Sequence, residues 1–159
     1  MTVIERGRLT VDNTDHIVVF LIGARVNRWW LLPLSLPILS KMNQMLRELL
    51  ADPDSGLLGI QPLGLSGTVQ YWKSYEHLQR YAHDSQKTHR PTWLKFMKRL
   101  FVNWSVGVWH ETYLVAAGQY ESVYTNMPKF GLGQFKPLTP AAGAMKSSAQ
   151  RLARDGIGH

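Results

Sequence analysis

The 159-residue sequence contains no cysteine, and this absence excludes several kinds of chemistry. Disulfide bonds, thiolate catalysis and zinc or iron–sulfur centres held by cysteine cannot form. A chain without disulfides suits a reducing compartment, so we expect a cytoplasmic protein. Its length is enough for one domain with a sizeable core and short for two.

The sequence also lacks a concentrated charge of one sign, although its formal net charge is +7. The basic residues are spread along the chain and do not alternate with aromatic residues on one element. A nucleic-acid-binding domain needs such a patch within a recognisable module. The excess charge therefore favours a solvated surface, and we expect no nucleic-acid partner.

Long hydrophobic runs are missing as well. The most membrane-like stretch, 29–39, is eleven residues long and contains two prolines. A spanning helix needs about 20 apolar residues, so no membrane span is expected. The first ten residues include Glu5, Arg6 and Arg8, which is unlike an apolar secretory leader.

Apolar and polar periodicity predicts an alternation of strands and helices. Continuous Val- and Ile-rich runs indicate buried strands, and Leu and Met at three- and four-residue spacing indicate an amphipathic helix. The predicted elements are, in chain order, a strand at 16–27, a helix at about 36–51, strands at 57–65 and 67–73, a helix capped by Ser74, a helix beginning at Pro91, a strand at about 105–115, a turn at 117–118 and a strand at 120–124.

This order predicts an α+β fold of the ferredoxin-like kind, βαββαβ, with a C-terminal hairpin strand added. The segments that begin at Ser74 and Pro91 count together as the second helical region, and both helical regions then lie on one face of an antiparallel sheet. The long strands are apolar on both sides, so the other face needs a cover. A second copy packed face to face, as a homodimer, would supply it. We expect one domain at 7–133, followed at 134–159 by a C-terminal arm or loose basic tail rich in Pro, Gly, Ala and Ser.

Several stretches resemble the small monooxygenase-like family that includes a fungal fumagillin-pathway polyketide monooxygenase. They are IGARVN, YWKSYEHLQRYAHD, HRPTW, VGVWHETY and GQYESVYTNMP, within 7–133. The family is grouped with the dimeric α+β barrels, beside antibiotic-biosynthesis monooxygenases and haem-containing aldoxime dehydratases. The resemblance implies a dimeric α+β barrel and a monooxygenase of secondary metabolism, but no particular catalytic set.

The predicted strand VGVWHETYLV carries most of the side chains able to do chemistry. Alternation along a strand places His110 and Thr112 on one face and Trp109, Glu111 and Tyr113 on the other. His110 and Glu111 therefore cannot act side by side unless a bulge intervenes. A two-residue turn after this strand would set Glu111 opposite a tyrosine of the added strand, whereas a three-residue turn would regroup these residues.

Each candidate has more than one interpretation. His110 could be a general base that takes a proton from an acidic phenol or enol, an axial haem ligand, or a buried histidine bonded to a carboxylate. Arg25 is either buried, with Glu111 or Glu121 as its partner, or solvated at the end of its strand. His77, His83 and His89 lie six residues apart, which is not the spacing of a helical metal pair, and no metal site is predicted.

The candidate catalytic residues are His110, Glu111, Tyr113 and Glu121, and the candidate substrate-binding residues are Arg25, Tyr71, Trp72, Trp109, Tyr120, Tyr124 and Asn126. The aromatic members would line a pocket for a flat apolar molecule or pack in the core. Three functions follow. The first, favoured through the resemblance, is a monooxygenase without a bound metal that oxidises an electron-rich aromatic or polyketide-like small molecule. The second is a haem-dependent enzyme of the aldoxime-dehydratase kind. The third is a non-catalytic dimer that binds a small molecule.

Overall fold

The computed structural model of the chain describes residues 3–28, 30, 46–64, 66–83, 104 and 106–152. The helix predicted to begin at Pro91, and residues 36–45 of the helix predicted at 36–51, lie outside these ranges. No helix within the described ranges is both long enough and apolar enough to cross a membrane.

The described elements alternate in the predicted order, with one strand before them and further short elements after them. They are β1 (Glu5–Val11), β2 (Ile17–Val26), α1 (46–51), β3 (Leu57–Leu63), β4 (Gly67–Trp72), α2 (Tyr75–His83), β5 (Val106–Val115), β6 (Tyr124–Met127), β7 (Leu138–Pro140) and α3 (Ser148–Leu152), with 3₁₀ turns at Gly131–Gln134 and Gly143–Met145.

The four long strands form an antiparallel sheet in the order β3-β4-β2-β5. This strand order is that of the βαββαβ unit, so the predicted ferredoxin-like α+β fold is confirmed. The strand β2 lies between β4 and β5, and its sequence is apolar on both faces because both faces pack against other elements.

One face of this sheet, here called the helix face, packs against α1 and α2. Its core consists of Val18, Leu49, Trp72 and Leu78, with Phe20 and Tyr81 packed against it. The β2 residues Val18, Phe20 and Ile22 point to this face, and Ile17, Val19 and Leu21 point to the opposite side, here called the far face. Residues paired across antiparallel strands share a face, so the register of β2 with β5 assigns every β5 side chain.

The added strand differs from the prediction. Instead of a strand at 120–124 paired with β5 in a hairpin, β6 forms at Tyr124–Met127 and pairs with β1. The predicted hairpin is therefore wrong. After the turn, Gly118 donates its N–H to the carbonyl of Asn13 at 2.7 Å, and the Asn13 amide donates to the carbonyl of Tyr120 at 2.9 Å. These bonds direct the chain toward the end of β1 and away from β5.

The strands β6, β1 and β7 make a second, three-stranded sheet. It packs on the Ile17 end of the far face through a cluster of Val11, Ile17, Tyr124 and Leu132. The chain itself thus covers part of the face that we expected a second copy to cover. The described part of the predicted C-terminal arm takes part in this sheet, because β7 pairs with β1.

Candidate functional site

Accessible side chains are concentrated in the second half of β5. Val106 is buried and Gly107 and Val108 are half-buried, but the six residues from Trp109 to Leu114 are all exposed. The strand lies at one edge of the main sheet, next to β2 alone among the described strands. This position makes the His-Glu-Thr-Tyr stretch reachable from solvent.

His110 lies on the helix face, opposite Ile22. Its imidazole is exposed and tilts against the ring of Phe20, with 5.7 Å between the ring centroids. Thr112 is opposite Phe20 and adds a hydroxyl to the same face. The apolar core of this face centres on Val18 and Trp72, toward the other end of the strands. An accessible imidazole beside an aromatic ring is a suitable arrangement for a base acting on a flat molecule.

Glu111 and Tyr113 project from the far face, opposite Leu21 and Val19. The phenol of Tyr113 donates a 2.6 Å hydrogen bond to Oε2 of Glu111. This bond, together with the negative charge of Glu111, raises the pKa of Tyr113 above its ordinary value. Both side chains are exposed, so the pair forms an accessible carboxylate–phenol unit.

Trp109 shares the far face with this pair, and a close approach fixes its position. Its indole lies against Gly23, where a Cβ atom would come within 2.8 Å of the ring. Glycine is the residue that allows this contact, and Gly23 is the second residue of the IGARVN stretch. The Trp109 side chain keeps 39% of its surface exposed.

The four candidate catalytic residues do not converge on one point. The β2–β5 register runs without a bulge, so His110 and Glu111 lie on opposite faces, as alternation predicted. Glu121 lies beyond β5, where its carboxylate accepts from Arg151 Nε at 2.8 Å and from Ser148 at 3.1 Å. That carboxylate stabilises the C-terminal segment.

Arg25 lies near the end of β2, on the far face opposite Gly107, and is exposed. This is the solvated arrangement, one of the two that the sequence allowed. Glu111 and Glu121, its two candidate partners, instead bond to Tyr113 and Arg151.

Most of the candidate binding residues have roles in packing or in turns. Trp72 is 0% exposed and donates its indole N–H to Gln70 at 3.1 Å. The phenol oxygen of Tyr124 accepts the Gly133 N–H at 3.0 Å, and that of Tyr120 accepts from the Lys136 ammonium at 2.8 Å. The side-chain oxygen of Asn126 accepts the Gly7 N–H at 2.9 Å.

Tyr71 is half-buried on the far face, beneath the second sheet. Its ring tilts against Phe135 with 6.0 Å between centroids. Burial, followed by the nearby Tyr124 phenol, raises the pKa of Tyr71. Tyr71 also packs against the Val11, Ile17, Tyr124 and Leu132 cluster, through which the two sheets are in contact.

Sequence reasoning missed Phe20 as a neighbour of His110. Alternation in β2 could have suggested it, but every residue in HIVVFLI except the histidine is apolar, so the two faces look alike in sequence. The register with β5 decides which face Phe20 joins.

Within the described part of the chain, no group of three or more His, Asp or Glu side chains is placed to hold a metal ion.

The chain is similar to known proteins in two ways: part of its sequence matches one protein family, and its fold matches a solved structure. Residues 17–132, well over half of the chain, match the family described as monooxygenase af470-like. A crystal structure of an aldoxime dehydratase in complex with butyraldoxime superposes with a TM-score of 0.59 at 16% identity. The superposition covers 94% of this chain and 42% of that chain, so this chain spans less than half of the dehydratase, and the likeness shows the fold alone. No curated protein matches the chain significantly. The match over residues 17–132 shows that the chain belongs to the monooxygenase af470-like family.

Proposed function

We propose that the protein is a monooxygenase that oxidises an electron-rich aromatic or polyketide-like small molecule, with His110 as the general base. One observation carries the proposal beyond the family match. The exposed His110 imidazole lies 5.7 Å from the Phe20 ring on the helix face, next to the Thr112 hydroxyl. These groups offer a base, an aromatic surface and a hydrogen-bonding group to one flat substrate.

In this proposal, the substrate stacks on Phe20 and presents a phenol or enol proton to the imidazole. A histidine exchanges protons near neutral pH, so it can accept that proton and later return it. Removal of the proton leaves an electron-rich anion. That anion combines with O2 to form a carbon-bound peroxide, whose O–O bond then breaks to leave one oxygen on the substrate carbon as a carbonyl and to release the other as water. The substrate supplies all the electrons, so the proposed reaction uses no bound metal and no added cofactor.

The pair of Glu111 and Tyr113 is left out of this step. Both side chains project from the opposite side of the sheet, so they cannot contact a substrate held by His110 of the same chain. Glu121 is also left out, because its carboxylate holds Arg151.

We place the enzyme in the cytoplasm, in secondary metabolism, as a homodimer.

In the haem-dependent alternative, His110 would instead hold the iron of a bound haem, which would supply the redox-active centre. The fold shared with an aldoxime dehydratase is the observation that keeps this alternative in view. The absorption spectrum of the purified protein separates the two proposals. A Soret band that shifts in His110→Ala would support the haem enzyme and overturn the metal-free one.

The activity test measures oxygen uptake and product mass with a panel of hydroxylated polycyclic aromatic compounds. His110→Ala should lose about 100-fold or more in kcat, the usual contribution of a general base. His16→Ala, which removes an exposed histidine just before β2, is the matched control and should keep wild-type activity. Full activity in His110→Ala, with an unchanged circular dichroism spectrum, would contradict the assignment of the base.

A further inference from the structure

A buried amide side chain lies on the helix face, and the proposed reaction does not use it. Gln70 is in the middle of β4, directly opposite Phe20 of β2, and is 4% exposed. Opposed residues of antiparallel strands share a face, so both side chains belong to the helix face. An amide buried among apolar residues costs free energy unless its polar atoms find partners. The partners of Gln70 therefore bear on what this face binds.

The carbonyl end of this amide is held by the core. Trp72 donates its indole N–H to Gln70 Oε1 at 3.1 Å, and Trp72 is itself 0% exposed. An indole nitrogen can only donate, so the atom that faces it must be the oxygen of the amide. This contact fixes which way the amide is turned, and it leaves the nitrogen, Nε2, on the other branch of the side chain.

The amino end of the amide has two N–H donors and no hydrogen-bond acceptor among the described residues. It is also not sealed off. Within the described ranges, the fully enclosed side-chain atom that lacks a partner is Asn13 Oδ1 and not Gln70 Nε2. The nitrogen thus keeps an accessible surface although the residue as a whole is buried. A donor that is oriented by the core and still reachable is suited to bind an acceptor atom of a ligand.

Gln70 and His110 lie on opposite sides of Phe20. The strand β2, which carries Phe20, runs between β4 and β5. Neighbouring strands lie about 4.8 Å apart, so the backbones of β4 and β5 are roughly 10 Å apart. The ring of Phe20 is 5.7 Å from the imidazole of His110, measured between centroids. A flat molecule stacked on this ring would extend toward the imidazole on one side and toward the Gln70 amide on the other.

We propose that Gln70 is a substrate-binding residue, whose amide N–H donates to a carbonyl oxygen conjugated with the hydroxyl that His110 deprotonates. This role rests on the proposed function and narrows its substrate class to hydroxylated polycyclic aromatic ketones. When the imidazole takes the proton, the O–H bond of the substrate breaks and an N–H bond forms. The negative charge left behind spreads through the rings to the carbonyl oxygen. The hydrogen bond from Gln70 therefore strengthens as the anion forms.

The test compares two probes that differ only in the carbonyl group. They are a hydroxyfluorenone with its hydroxyl para to the carbonyl, and the matching hydroxyfluorene, in which a methylene replaces the carbonyl. Binding to the full chain is measured without oxygen, by quenching of tryptophan fluorescence. Gln70→Met keeps the length of the side chain and removes the donor. It should raise the Kd of hydroxyfluorenone by about tenfold or more and leave that of hydroxyfluorene nearly unchanged.

The matched control is Gln119→Met, which makes the same substitution at an exposed glutamine in the turn after β5. It should bind both probes as wild type does. Circular dichroism checks that each variant stays folded.

A second variant separates binding from a role in packing alone. Gln70→Glu keeps an oxygen for the Trp72 indole N–H and replaces the amide nitrogen by a second oxygen. If Gln70 only held Trp72, this variant would bind both probes as wild type does. We expect it instead to weaken hydroxyfluorenone at least as much as Gln70→Met does, because a carboxylate repels the carbonyl oxygen.

A measurement on the wild-type chain needs no variant. The carbonyl stretching band of bound hydroxyfluorenone should lie at lower frequency than in an apolar solvent, because a donated hydrogen bond weakens the C=O bond. An unshifted band would contradict the role of Gln70 even if neither variant folds.

The outcomes separate this role from the proposed reaction. Equal weakening of both probes in Gln70→Met, or no weakening of either, overturns the role of Gln70 and leaves the His110 reaction to its own test. Failure of wild type to bind hydroxyfluorenone overturns it as well. Selective loss of hydroxyfluorenone binding supports it. If that loss is found in a protein that shows no oxygen uptake, the proposed reaction alone is wrong.

Discussion

Tyr113 donates its phenol proton to Oε2 of Glu111 across 2.6 Å, on the far face of the main sheet, while His110 projects from the helix face. Consecutive residues of one strand thus supply two chemically different surfaces. The imidazole faces the region we propose for substrate. The carboxylate–phenol pair faces the opposite side of the sheet.

The first prediction concerns the titration of Tyr113. Its pKa is raised first by the hydrogen bond to Glu111 and then by the negative charge of that carboxylate. Glu111→Gln should therefore lower the Tyr113 pKa toward the ordinary value of 10.0. In wild type, the hydrogen bond is present below that value and is lost as the pH rises through the raised pKa. Absorbance titration of tyrosinate, compared with Tyr113→Phe to assign the signal, measures the shift.

Glu76→Gln is the control for this titration. It removes an exposed carboxylate from α2, on the other side of the sheet, and should leave the Tyr113 transition unchanged. An identical Tyr113 transition in wild type and Glu111→Gln would show that the pair does not persist in solution.

The second prediction is a loss of stability at alkaline pH caused by Tyr81. Burial, followed by the negative charge of Glu48, raises the pKa of Tyr81 to about 12. The unfolded chain releases this proton near 10.0, so the contribution of the buried phenol to stability is complete below that pH. It declines as the pH rises from there toward about 12. Tyr81→Phe keeps the ring that packs on Trp72 and should flatten this decline in urea-unfolding curves.

Tyr75→Phe provides the comparison, because Tyr75 lies on the exposed side of the same helix. Its alkaline decline should match that of wild type. Equal declines in all three proteins would contradict the role of Tyr81.

The third prediction compares two glycines with positive φ angles. Gly56 has φ +76°, and a Cβ there would lie 2.1 Å from the ring of His77, which Ser74 holds through a 2.8 Å hydrogen bond. Gly64 has φ +61° with open space around it. Gly64→Ala should cost about 1 kcal/mol of left-handed strain. Gly56→Ala should cost roughly 1–3 kcal/mol more, because the histidine must also move. Equal unfolding free energies in the two variants would show that His77 moves aside freely.

The fourth prediction concerns the attachment of the C-terminal segment. The Arg151 side chain is 3% exposed, with Nε 2.8 Å from Glu121 Oε2, and its guanidinium also donates to the carbonyls of Met145 and Lys146. Arg151→Ala should lower the unfolding free energy by about 3 kcal/mol, because it removes a buried guanidinium together with its bonds to the half-buried Glu121 carboxylate and to two carbonyls. Arg80→Ala, which removes an exposed guanidinium, should cost under about 1 kcal/mol. A loss at Arg151 no larger than at Arg80 would mean that the segment contributes little to stability.

The sequence alone determined the features that depend on local period and on element order. A strand alternates its side chains strictly, so the separation of His110 from Glu111 could be read from VGVWHETYLV. The order of strands and helices predicted the ferredoxin-like sheet, since few topologies connect a βαββαβ chain. For Trp72 the sequence allowed two roles, lining a pocket or packing in the core. Its exposure of 0% favours the core.

Only the tertiary structure decided which strands pair and which charges meet. The partner of β6 is β1, more than a hundred residues earlier, and no local pattern in either segment specifies that contact. The pairing of Glu121 with Arg151, and the placement of Phe20 beside His110, depend in the same way on chain segments distant in sequence. Such contacts form because many weak interactions favour one packing of the whole chain, and their sum is not visible in any single stretch of sequence.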